Sequence, residues 1–107
     1  MPFPQRRDYN ITVGTAFDVG PMAVPTSNTA VKSADCRVYE FQICNTTAGD
    51  VNITITDGND LAFIPTTIVP ASGGTVSFSS PRGRSMPAGI KWQASGAGLV
   101  GFITGIT

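Results

Sequence analysis

At 107 residues the chain is long enough for one domain with a single core, and short enough that contacts between copies matter to its stability. Hydrophobic residues make up 41% and charged residues 13%, against roughly 25% charged in an average soluble domain, so little charge is present to solvate an isolated surface. Seven Lys and Arg balance seven Asp and Glu, and there is no histidine; the first fact disfavours nonspecific nucleic-acid binding, and the second removes the commonest general base and transition-metal ligand.

The first eight residues read as an extended N-terminal arm, in which Arg6 and Arg7, near Pro2 and Pro4, either reach a neighbouring subunit or fray. No apolar stretch of signal-peptide length follows them. Nowhere do about 18 consecutive apolar residues occur, which excludes a membrane-spanning helix on length, and no membrane partner is expected. Tyr9-Asn10-Ile11-Thr12-Val13 alternates apolar with polar residues and stops at Gly14, as a half-buried strand does. The segment from Phe17 to Asn28 carries Gly20, Pro21 and Pro25, so a loop or an edge strand is expected there.

Cys36 to Cys44 reads as one strand, with Arg37, Tyr39, Phe41 and Ile43 on an inward face and Val38, Glu40, Gln42 and both cysteines on the other. Eight steps of about 3.3 Å hold the sulfurs roughly 26 Å apart, far beyond disulfide reach, so free thiols are expected. Two cysteines without histidine supply only half of a structural zinc site.

Asn45-Thr46-Thr47-Ala48-Gly49-Asp50 is turn chemistry, and Val51-Asn52-Ile53-Thr54-Ile55-Thr56 then alternates with Val51, Ile53 and Ile55 toward the core. These two strands are the best hairpin candidate. A second turn, Asp57-Gly58-Asn59-Asp60, leads to Leu61–Ile64 and, past Pro65, to Thr66–Val69. After Pro70–Gly74, the strand Thr75–Ser79 turns Val76 and Phe78 inward, and Ser80–Ala88 reads as a long loop. The closing segment holds two strands, with Ile90, Trp92 and Ala94 on a shared face, and the expected core comprises Tyr39, Phe41, Ile53, Phe78 and Trp92. Seven or eight short strands at this spacing predict an all-β chain, a single small antiparallel β-sandwich or jelly roll spanning 1–107.

The acids are Asp8, Asp18, Asp35, Glu40, Asp50, Asp57 and Asp60, and all but Glu40 fall in turns, loops or strand ends. Asp57 and Asp60 could flank a sugar bond as glycosidase carboxyls do, but turn capping explains them better. The same turn lacks the later glutamate of a helix-loop-helix calcium site and reads as a plain hairpin turn. Asn10, Asn45 and Asn52 each open a glycosylation-type triplet, in sequences where threonine is expected of strands anyway. No enzyme and no cofactor is expected.

Binding candidates are few. Arg82-Gly83-Arg84 could grip a phosphate or carboxylate on a partner, or be a solvated loop tip. Trp92 could stack on a sugar, though its alternation with Ile90 and Ala94 sends it to the core. Gly96, Gly98, Gly101 and Gly105 allow backbones to approach closely, at bulges or at a subunit contact, and Gly101 is the candidate interface position among them.

The closing stretch, Gly89-Ile90-Lys91-Trp92 through Gly98-Leu99-Val100-Gly101-Phe102-Ile103-Thr104-Gly105 after a Pro87-Ala88 turn, resembles the ends of small structural proteins of tailed bacteriophages and prophages. That resemblance implies a β-sandwich virion component, such as a head decoration or cement protein or a head or tail accessory subunit. It also implies a homo-oligomer with other virion proteins, such as a major capsid protein, as partners, made in a host cytoplasm and located in the virion. It carries no functional residue with it. The alternative expectation is a carbohydrate-binding or adhesion module that uses loop-end aromatics and the Asp57 turn.

Overall fold

The computed structural model describes residues 15–107, and among these every regular element is a strand: β1 (Ala16–Ala23), β2 (Thr29–Lys32), β3 (Cys36–Asn45), β4 (Val51–Asp57), β5 (Ala62–Val69), β6 (Thr75–Met86), β7 (Ile90–Ala94) and β8 (Leu99–Ile106). The arm at 1–8 and the strand expected at 9–13 lie outside the described residues. Pairing is nested and antiparallel: β1 with β8, β2 with β7, β3 with β6, and β4 with β5. The chain is therefore one long hairpin with its tip at the β4–β5 turn, rolled so that its arms form two four-stranded sheets. Sheet A has the order β1-β8-β3-β6 and sheet B the order β2-β7-β4-β5. That topology is a jelly roll, the second form of the expected sandwich.

Nesting overturns the expected hairpin of β3 with β4. The two strands lie in opposite sheets, and the turn between them is a corner. Asn45 makes it one. This fully buried side chain donates through Nδ2 to the carbonyls of Gly49 (2.8 Å) and Val69 (2.9 Å), while its Oδ1 accepts from the backbone N–H (2.9 Å) and hydroxyl (2.7 Å) of Thr47. All four bonding positions of the amide are used, and the corner is tied to the end of β5 in the facing sheet.

The alternation expected along β3 also breaks, at Tyr39. Val38 and Glu40 oppose adjacent residues of β8, Gly105 and Thr104, so Tyr39 is an extra residue and the faces exchange across it. Cys36 and Val38 point inward before the bulge, and Phe41, Ile43 and Asn45 after it. Four expectations are corrected by this, the first being that Val38, expected on the outward face, is fully buried. Arg37 is exposed, Tyr39 is only half-buried at the rim, and the two cysteines face opposite ways, Cys36 inward and Cys44 outward. Both thiols are free.

Opposite the bulge, β6 answers with an excursion. Ser79 pairs with Glu40 and Arg84 with Val38, leaving Ser80-Pro81-Arg82-Gly83 outside the ladder. The expected loop from Ser80 to Ala88 is thus mostly strand, since β6 runs on to Met86. Gly83 has a φ of 76°, and a Cβ there would lie 2.9 Å from Cε1 of Tyr39. Arg37 clamps the excursion by donating from Nη1 to the carbonyls of Arg82 and Gly83, each at 3.1 Å.

The core between the sheets contains Phe41, Ile53 and Trp92 as expected, with Ile43, Ile55, Val69, Leu99 and Ile103. Phe78 is half-buried and joins through an aromatic cluster, stacked on Phe41 at 5.5 Å and edge-on to Phe63 at 5.1 Å. Segment 17–28 is an edge strand as far as Ala23, interrupted by a register shift around the cis Gly20-Pro21 peptide.

Candidate assembly surface

The candidate interface residues do not converge. Arg6 and Arg7 lie outside the described residues. Arg82 sits exposed on the β6 excursion. Arg84, two residues on, lays its guanidinium 5.0 Å over the Phe63 ring. It edges a cleft of about 230 Å³ that Asp57, Leu61, Phe63 and Met86 also line. Gly101 is elsewhere and inside: it is buried on β8 between Met22 of β1 and Ile43 of β3. A Cβ at that position would collide with Cδ1 of Ile43 and lie 2.9 Å from the carbonyl oxygen of Gln42. The lack of a side chain at Gly101 therefore has an intramolecular cause.

The residues weighed for sugar or metal chemistry are committed to structure. Trp92 is 2% exposed in the core. Oδ1 of Asp57 accepts from the backbone N–H of Asn59 (2.8 Å) and Leu61 (3.0 Å), so it caps its own turn. Asp60 accepts from Lys91 (3.1 Å) and Asn28 (2.9 Å), and these bonds, Lys91 foremost, hold its carboxyl below the usual range. Burial pushes the Cys36 thiol up, Asp35 adds to the effect and Lys32 opposes it, which makes Cys36 a poor nucleophile.

Strand edges offer little continuous surface. The edges of sheet A are β1, broken at Gly20-Pro21, and β6, broken by the excursion at Ser80–Gly83. Those of sheet B are β2, four residues long with a register shift, and β5, which carries Pro65 and two shifts against β4. Short strands, bulges and proline are the devices by which sheets resist edge-to-edge pairing.

The faces are a different matter. On sheet B the central strands turn Lys91, Gln93, Asn52, Thr54 and Thr56 outward, and a shallow depression of about 240 Å³ lies among Asn52, Thr54, Thr66, Gln93 and Ser95. On sheet A, β8 buries Leu99, Gly101, Ile103 and Gly105 and presents Val100, Phe102, Thr104 and Ile106 outward. Val100, Phe102 and Ile106 neither belong to the core nor pack against it. Sequence reasoning missed them because both alternating sets of β8 are apolar. The signal was present, however: the glycines share one phase and the larger side chains the other, and a crowded interior takes the glycines.

No protein-family model matches the chain, and no curated protein sequence matches it. Among solved structures, the tobacco streak virus coat protein overlays with a TM-score of 0.44 at 13% identity, covering 90% of this chain and 86% of that one. A coat protein dimer of the same virus overlays with a TM-score of 0.39 at 16% identity, covering 90% and 78%. FlgD of Xanthomonas campestris, described in connection with hook capping in flagellar assembly, gives 0.32 at 27% identity, covering 95% and 75%. All three TM-scores are low, and the functional reading rests on the geometry of the chain.

Proposed function

We propose that this chain is a non-enzymatic structural subunit of a virion, a head decoration or cement protein or a head or tail accessory subunit, that acts by assembling on its own copies and on a major capsid protein. The observation that carries the reading is that β8, a central strand of sheet A, is apolar on both faces. One face closes the core, and the other has no partner among the described residues. A sheet that meets water on one side is ordinarily polar there, as Glu40, Gln42 and Ser77 beside this strand are, and the apolar stripe of β8 among them is a candidate contact. Two further features support the reading: the resemblance of the closing segment to small phage structural proteins, and the jelly-roll topology, which viral capsid domains use. The latter is an analogy of fold. Interrupted edges shift the mode of assembly from strand edges toward faces. The test is mass photometry of the purified chain, combined with co-sedimentation on shells assembled from the capsid gene of the same genome. Self-association and shell binding are expected; a strict monomer that leaves shells bare overturns the proposal.

A second reading, a carbohydrate-binding module, draws on the depression of sheet B, whose amide and hydroxyl groups suit sugar hydroxyls. It lacks the aromatic platform, since Trp92 lies beneath that sheet in the core. A glycan array, run with and without a chelator, decides it: no bound glycan in either condition removes the reading.

A further inference from the structure

Along one flank of the sandwich the edge strands β5 and β6 face each other, and the cleft of about 230 Å³ opens between the start of β5 and the end of β6. Phe63 and the buried Met86 line it, and Leu61 beside them is 66% exposed, the most of any large apolar side chain among the described residues. The cleft also carries one charge of each sign. No carboxylate among the described residues lies within ion-pair distance of Arg84, and Asp57 is engaged only in capping its own turn.

We propose that the chain's own N-terminal segment Arg7-Asp8-Tyr9 folds back into this cleft, with Tyr9 seated beside Leu61 and Phe63 and Arg7 facing Asp57. The inference goes beyond the assembly reading and does not rest on it. Reach is the first argument. Ala16, Ile106, Arg37 and Ser85 are successive partners across β1, β8, β3 and β6, so the described chain begins one residue beyond a row that ends at the cleft. Three strand spacings of about 4.8 Å and half the roughly 10 Å between sheets put the cleft about 15 Å from that start, and six extended residues from Thr15 back to Tyr9 span about 20 Å. Complementarity is the second. In an extended segment Arg7, Tyr9, Ile11 and Val13 share one side, so the ring and the cation enter together and the two aliphatic residues turn toward the body on the way. A tyrosine ring beside Phe63 and Arg84 gains aromatic and cation–π contacts, and the Arg7 charge meets that of Asp57. Tethering is the third. A short linker holds the segment at an effective concentration in the millimolar range, enough for one ring and one ion pair to close within a chain.

Limited trypsin digestion of the full chain, read by mass spectrometry, tests this through cleavage after Arg6 and Arg7. Cleavage waits for release of the docked segment, so its rate follows the undocked fraction. Tyr9→Ser and Leu61→Ser are each expected to raise that rate about tenfold, with melting curves confirming a folded sandwich; Leu61→Ser does so without altering the sequence that trypsin reads. Asp57→Asn keeps the oxygen that caps the turn and removes the charge, and is expected to raise the rate about twofold. Asn52→Ser, on the outer face of sheet B, leaves it unchanged. A cysteine pair, Tyr9→Cys with Leu61→Cys in a Cys44→Ser background, is expected to oxidise to a disulfide within one chain. Equal cleavage of wild type, Tyr9→Ser and Leu61→Ser overturns the inference. So does a disulfide formed only between chains, or protection that grows with protein concentration, since either gives the cleft to the arm of a second copy.

Discussion

Gly101 offers the sharpest test of the packing argument, through Gly101→Val. The ideal Cβ collides with Cδ1 of Ile43, a fully buried side chain, and lies 2.9 Å from the carbonyl oxygen of Gln42, which is fixed in the ladder between β3 and β8. Inserting carbon into a filled core costs typically 1–3 kcal/mol, and valine adds two methyls beyond that Cβ, so the upper end, about 3 kcal/mol, applies. For a domain of 60–100 residues each kcal/mol moves the melting temperature by about 4–8 °C, giving a fall of roughly 12–24 °C. Thermal unfolding followed by near-UV circular dichroism and Trp92 emission measures it. Gly96→Ala is the control, since a Cβ there meets nothing within 4 Å. A Gly101→Val chain that melts within about 2 °C of wild type but fails to self-associate would refute the reasoning and put Gly101 at a subunit contact.

Further outcomes follow from the same contacts. Asn45→Ala deletes the four bonds of the corner and strands the Val69 carbonyl, with an expected loss of about 2–4 kcal/mol by urea denaturation. Asn45→Asp should cost at least as much, because a carboxylate cannot donate to the two carbonyls. The hydroxyl of Thr56 is buried without a hydrogen-bond partner, so Thr56→Val should stabilise the chain by about 1 kcal/mol. Asp60 has a depressed carboxyl pKa, so its contribution is present above the unfolded value of 3.8 and is lost as pH falls through the lower folded value. Carboxyl NMR titration should show this, and Lys91→Met should bring the midpoint back up. For the thiols, a reagent at pH 8 should label Cys44 ahead of Cys36, whose raised pKa and burial keep it protonated until the chain unfolds.

Much of the architecture is legible in residue order, and the failures share a physical origin. Val51, Ile53 and Ile55 alternate with polar residues, so their phase is unambiguous and they are buried as read. Ile90, Trp92 and Ala94 behave likewise. Along β3 the phase is read correctly for Phe41 and Ile43 and incorrectly for Cys36, because a bulge at Tyr39 inserts a residue without any glycine or proline to announce it. The turn at Asn45 to Asp50 has the chemistry of a hairpin and of a corner alike. The distinction lies with Val69, 24 residues on, whose carbonyl takes the Asn45 amide. Arg82 and Arg84 stand out as a charged pair in a small-residue segment, but their strand context depends on the excursion that Arg37 clamps.

Local order thus sets the class and most of the strands: period-2 alternation, turn residues every few positions and the absence of helical spacing leave an all-β chain as the consistent outcome. Which strands share a sheet is a matter of long-range pairing, and nested pairing converts the chain from a series of hairpins into a jelly roll. The candidate assembly face is a product of that second level. Alternation along β8 separates Leu99, Gly101, Ile103 and Gly105 from Val100, Phe102, Thr104 and Ile106, but hydrophobicity cannot say which set is inside when both are apolar. Ile43 and Phe17, packed against the positions of Gly101 and Gly105, leave room there for hydrogen alone and turn Phe102 out.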